Sequence, residues 1–215
     1  GAGSAGSTIR GLVINRFSLD GIQINSTNNL IVGNWIGVDS AGTADLGNLV
    51  DGIGISANNN TIGTSAAADR NVLSGNDDEG ADVDPGVTGI VIQGNYFGTN
   101  AMGTAAVANG SLSDPNSGGV ILGGIGTLFG GSLAGQGNLV SGNTIDGIHI
   151  DGSGNVLYGN KIGTDAAGTA GIANAGPGIR LNGGNNTSIG GTAAGQGNTI
   201  AFNADDGIRL ESATG

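Results

Sequence analysis

Gly147-Ile148-His149-Ile150 is the fifth of seven copies of a pattern that recurs along the chain. The same Gly-apolar-x-apolar signature begins at Gly21, Gly52, Gly80, Gly119, Gly147, Gly178 and Gly207, at steps of 31, 28, 39, 28, 31 and 29 residues. In each copy the apolar residues stand two apart: Ile22/Ile24, Ile53/Ile55, Ala81/Val83, Val120/Leu122, Ile148/Ile150, Ile179/Leu181 and Ile208/Leu210. A period of two is strand geometry, with one face inward and the other outward. The same short strand laid down once per step builds one parallel sheet, and repeats of this length stack as a solenoid.

Outward from that signature, two kinds of coil alternate. One kind carries Gly-Asn-x-apolar-Gly followed by Gly-Thr, as in Gly33-Asn34-Trp35-Ile36-Gly37 with Gly42-Thr43. Its other copies are Gly94-Asn95-Tyr96-Phe97-Gly98 with Gly103-Thr104, and Gly159-Asn160-Lys161-Ile162-Gly163 with Gly168-Thr169. The other kind carries Asn-x-apolar before a second Asn: Asn71-Val72-Leu73 to Asn76, Asn138-Leu139-Val140 to Asn143, and Asn198-Thr199-Ile200 to Asn203. One coil cannot bury its own apolar face, but stacked coils share a core. Asn tolerates turn geometry and bonds nearby backbone, and at matched positions its amides bond from coil to coil. The pattern predicts an all-β chain, a right-handed parallel β-helix of about six to seven coils of 28–39 residues with three short strands each. Residues 1–215 read as a single domain that begins and ends inside its own repeat, as expected of a piece of a longer chain.

Composition narrows the partners. A formal charge of −11 with only 6 Lys and Arg leaves no phosphate-tracking stripe, which excludes nucleic acid. No apolar run approaches the roughly 20 residues of a membrane span. There is no Cys, so neither disulfides nor thiolate metal sites arise. An acidic, Cys-free, Gly- and Asn-rich chain fits a secreted or cell-surface bacterial protein.

The repeat resembles the right-handed β-helix repeats of the pectin-lyase-like superfamily. It is most similar to the tandem Asn-x-Ile-Gly-Thr-Asp-x-x-Gly-Thr repeats of bacterial surface proteins, which Asn160-Lys161-Ile162-Gly163-Thr164-Asp165-Ala166-Ala167-Gly168-Thr169 matches in full. The resemblance implies the fold. It leaves the function open among lyases, hydrolases, epimerases, adhesins and inert spacers.

Three groups of residues are candidates for chemistry. Enzymes of the superfamily act on the outward face of one parallel sheet, where His149, Asp151, Arg180 and Arg209 fall on neighbouring strands. Such a set could hold an acidic sugar and move a proton. Outward positions of a solenoid are ordinarily polar, however, and neither the Gly-His-Gly and Arg-Ile-Lys motifs of polygalacturonases nor the Arg-x-Pro-x-x-Arg of pectate lyases is present. Asp78, Glu79, Asp82 and Asp84 form the densest carboxylate cluster, a candidate for calcium or a solvated acidic edge. Trp35 and Tyr96 share an outward slot two coils apart, about 10 Å, and Tyr158 lies three residues before the same slot in its own coil. Exposed aromatics at that spacing suit a polysaccharide or surface glycan. The expected function is a non-enzymatic spacer, filament or adhesin unit continued end to end by more β-helix. The alternative is a carbohydrate-active lyase or hydrolase acting around His149.

Overall fold

The computed structural model describes residues 3–113 and 116–211. The chain winds as a right-handed parallel β-helix in which every coil lays one strand in each of three sheets, and each sheet holds seven parallel strands. Coils are numbered 1 to 7 from the strand that opens them, at Thr8, Leu30, Thr61, Val91, Leu128, Val156 and Ser188. In coil 2, for example, Leu30–Val32 joins the first sheet, Trp35–Ile36 the second and Ile53–Ile55 the third. The third sheet is the one built from the Gly-apolar-x-apolar signature. Its strands pair with Ile22, Ile53, Ala81, Val120, Ile148, Ile179 and Ile208 in one column, as the spacing predicts.

The inward columns of the three sheets meet in one continuous core of Ile, Leu and Val, with Phe97 and Phe129 stacked from neighbouring coils at 6.0 Å between ring centroids. Strands of two residues suffice in the second sheet because each needs only one inward side chain per coil, such as Ile36, Leu73, Phe97, Val140 or Ile162, all fully buried. Each such side chain contributes about 1.5–3 kcal/mol on burial. Helix is limited among the described residues to a single 3-10 turn, Ala67–Asp69, and no helix is long and apolar enough to cross a membrane.

Two corners of the coil are held by asparagine ladders. Between the first and second sheets, Asn34, Asn71, Asn95, Asn138, Asn160 and Asn198 each pass an Nδ2–H to the Oδ1 of the next, at 2.8–3.3 Å. Between the second and third sheets, Asn48, Asn76, Asn109, Asn143, Asn174 and Asn203 do the same at 2.8–3.1 Å. The signature glycine sits beside this second ladder. A Cβ on Gly147 would lie 2.5 Å from the Gly178 carbonyl oxygen and 2.8 Å from Asn174 Nδ2, closer than atoms can approach. Glycine is therefore what lets the backbone close onto the ladder. The third corner is less regular: Asn29 bonds Asn60 at 3.1 Å, but Ile90 and Thr127 occupy the same position in coils 4 and 5.

Candidate functional site

The outward column of the third sheet runs Gln23, Gly54, Asp82, Ile121, His149, Arg180 and Arg209, in the predicted register. His149, Asp151 and Arg180 do come together. Arg180 reaches His149 Nδ1 at 3.1 Å, and His149 Nε2 lies 3.2 Å from Asp151 Oδ1. The structure adds two residues to this set. Asp146, in the position before the signature glycine, pairs with Arg180 Nε at 2.6 Å, and Asn116 Oδ1 accepts from Arg180 at 3.2 Å. Arg209 instead pairs with Asp205 and Asp206 of its own coil, at 2.6 and 2.8 Å.

Although it stands on an outward column, His149 is only 3% exposed, held between Ile121 and Arg180 and flanked by the loop that carries Asn116. That loop, Gly110 to Ser117, is the insertion of the longest repeat; its Asp114 and Pro115 lie outside the described residues. Burial, reinforced by the Arg180 charge and opposed by Asp151 and Asp146, holds the imidazole below its ordinary pKa. Burial raises the Asp146 carboxyl, with Arg180 pulling the other way. With Arg180 donating to Nδ1, the ring proton sits on Nε2, facing Asp151. The lone pair that a general base needs is already occupied by a guanidinium N–H. In this geometry the cluster ties coils 5 and 6 to the inserted loop.

The acidic cluster gathers differently from its sequence. Ligand-capable oxygens of Asp51, Asp78 and Glu79 lie within 4.8 Å of one another. Asp51 is the member that sequence reading missed: it comes from the preceding coil, 28 residues before Glu79, and its Oδ1 accepts the Glu79 backbone N–H at 3.1 Å. Asp82, on the adjoining strand, and Asp84, just past its end, lie outside that triplet; Asp82 acts by charge on Glu79, and Asp84 on Asp82. Burial raises the carboxyls of Asp51 and Glu79, and the two share a side-chain hydrogen bond, which needs a proton between them. Burial also pushes Asp82 up to about 7, with the neighbouring acids adding to it. Three carboxylates offer part of the six to eight oxygens that calcium takes. A shared proton satisfies the buried pair equally well.

The aromatic slot proves to be the floor of a trough. On the second sheet the outward column runs Val13, Trp35, Val72, Tyr96, Leu139, Lys161 and Thr199. Long loops follow this sheet in coils 2, 4 and 6, closed by single antiparallel bridges Val38 to Asp45, Thr99 to Ala106 and Thr164 to Gly171. They stack on one another through Ala101 N–H to Gly42 O and Ala166 N–H to Gly103 O, both 2.9 Å. Asp39 and Asp165 cap the first and third loops, each accepting two backbone N–H groups at 2.7–3.1 Å, and these bonds lower both carboxyl pKa values. Asn100 makes the equivalent cap with Thr104 at 2.9 Å.

Those loops lean over the floor. Gly103 approaches Tyr96 so closely that a Cβ there would lie 2.9 Å from the ring edge. Trp35 is half-buried beside Val38, Val72 and Val107. Opposite them, the longer connections between the first and second sheets occur in coils 3, 5 and 7, over residues 63–70, 131–137 and 190–197. They form the second wall, with Gly33 N–H bonded to Asp69 O and Gly94 N–H to Gln136 O, both at 3.0 Å. Arg70 comes from this wall, its guanidinium carbon 4.1 Å from the Tyr96 ring centroid. Tyr158 stands apart, on the first sheet paired with Gly130. No protein-family model matches the chain, and a search of curated proteins finds no match either.

Proposed function

We propose that this chain is a non-enzymatic structural segment, a rigid spacer or filament unit of a secreted or cell-surface bacterial protein. The observation that carries this reading is the pair of asparagine ladders, which run through coils 2 to 7 with no coil out of register. A ladder of buried, fully paired amides stiffens a solenoid along its axis. The likeness to tandem repeats of bacterial surface proteins in the pectin-lyase-like superfamily points the same way. No cofactor is needed for such a role, and calcium at Asp51, Asp78 and Glu79 would add stiffness locally.

The partner proposed is more β-helix, stacked end to end from the same chain or from another copy. Ile208 and Leu210 of coil 7 are 44% and 72% exposed, whereas Ile179, one coil inside, is fully buried. At the opposite end a cavity of about 400 Å3 opens between Ile9, Ile22, Ile24 and Ile31. Among the described residues, the first and last strand of each sheet has a neighbour on one side only. Sedimentation over a range of concentrations at moderate salt tests the proposal. Concentration-dependent association is expected despite the charge of −11, and Leu210→Arg should weaken it while the circular dichroism spectrum stays unchanged. A stable monomer at high concentration would remove the end-to-end partner.

A further inference from the structure

The trough on the second sheet carries a chemistry that the structural role does not use. Between its walls lies a groove of about 340 Å3 lined by Arg70, Tyr96, Leu133, Leu139, Lys161 and Ala166, together with backbone at several glycines, and no carboxylate lines it. That is unusual on a chain with 17 acidic and only 6 basic residues. Three of the basic residues, Arg10, Arg180 and Arg209, pair with carboxylates. Arg70 and Lys161 face the groove instead. Arg70 uses Nε for the Gly94 carbonyl at 3.3 Å, one of its five donors. Lys161 Nζ donates to the Ala166 carbonyl, one of its three.

Spacing then selects the ligand. Trp35, Tyr96 with Arg70 above it, and Lys161 occupy one column in coils 2, 4 and 6. They are two coils apart, about 10 Å per step. A second, smaller groove beside Trp35 continues the same face, lined by Gly11, Leu12, Val13 and Gly33. Stacking of both walls at the same two-coil interval makes the trough linear and periodic. Its lining offers two cations, peptide groups and a few apolar surfaces, and lacks the deep side-chain pockets by which a peptide strand is recognised.

We propose that this trough binds an extended acidic polysaccharide bearing a carboxylate on every second sugar, with successive acidic groups at Arg70 and Lys161. The inference is independent of end-to-end stacking, since it uses only the side of the solenoid. Because the net charge of −11 repels any polyanion, binding depends on these two local cations.

Calorimetry with a hyaluronan octasaccharide, against neutral cellohexaose and poly-glutamate as controls, tests it on the whole chain. Hyaluronan should bind at least about tenfold tighter than either control, and Lys161→Gln and Arg70→Gln should each weaken it about tenfold. Lys161→Arg should retain binding, and melting curves show which variants remain folded. Absence of hyaluronan binding, or binding that both Gln variants leave intact, would overturn the site. Equal binding of cellohexaose would overturn the role of charge, and equal binding of poly-glutamate the assignment to polysaccharide.

Discussion

Asn109 shows why one residue type dominates two corners. Its Nδ2 donates to Asn143 Oδ1 at 3.1 Å and to the Leu73 carbonyl at 2.8 Å, while its Oδ1 accepts both the backbone and side-chain N–H of Asn76 at 3.1 Å. An amide has two donors and two lone pairs, and all four are used. Asp would lose both donors, and Gln would overreach by a methylene. Asn109→Ala should cost about 2–4 kcal/mol in chemical denaturation, because it strands buried groups in the coils on either side. A loss under about 1 kcal/mol would mean the ladder only accompanies packing. In the core, Ile148→Asp should cost more than about 3 kcal/mol, since the side chain is fully buried with only hydrocarbon around it. A mild effect there would contradict the observed inward stack. Asn34, Asn71 and Asn76 were legible as ladder residues because each lies beside a strand. Asn48, Asn109 and Asn174 were not, because loops separate them from theirs.

At the scale of an element, the segment Asp77 to Asp84 gives the fold a measurable dependence on pH. The folded state raises the pKa of Asp82 to about 7 and raises Glu79 as well, whereas both titrate near 4 in the unfolded chain. Between those values the native state holds protons that the unfolded state has released. Stability therefore falls as pH rises through that window. Lowering the pH from 8.5 to 6.5 should raise the melting temperature by a few degrees, on the order of 1 kcal/mol. His149, whose pKa is lowered by the fold, works against this trend only at the acid end of the range, where the unfolded imidazole is about half protonated. Glu79→Gln should flatten the dependence and stabilise the protein at pH 8.5. A melting temperature that rises with pH over this range would mean that the acids are not desolvated. If a shared proton holds the pair, a chelator leaves the curve unchanged; a fall reversed by added calcium would identify the ion as its occupant. Sequence spacing pointed to Asp78 and Glu79 but not to Asp51, whose proximity arises only when coil 2 is laid on coil 3.

At the scale of the whole molecule, the fold was readable because each coil repeats the same inward demand, and period two in seven separate stretches admits one register. The site was only partly readable. Outward positions were assigned correctly to Trp35, Tyr96 and His149, yet outward did not mean open: neighbouring loops fold back across all three. A strand pattern carries no information about where a connection of ten residues leans. The walls of the trough, and with them Arg70, depend on contacts between loops of alternate coils, such as Ala166 with Gly103. The alternation of two coil types was visible in the sequence, but its physical result, a groove flanked on both sides, required the stacking.

That alternation also restricts how a molecule of this kind can change length. A single coil copied or lost in the middle would put a wall-forming loop beside a coil of its own type and break the chain of contacts that holds each wall upright. Tandem duplication should therefore succeed in pairs of coils, with the stretch from Asn34 to Asn95 or from Asn95 to Asn160 as its unit, about twice the step that the strand pattern shows.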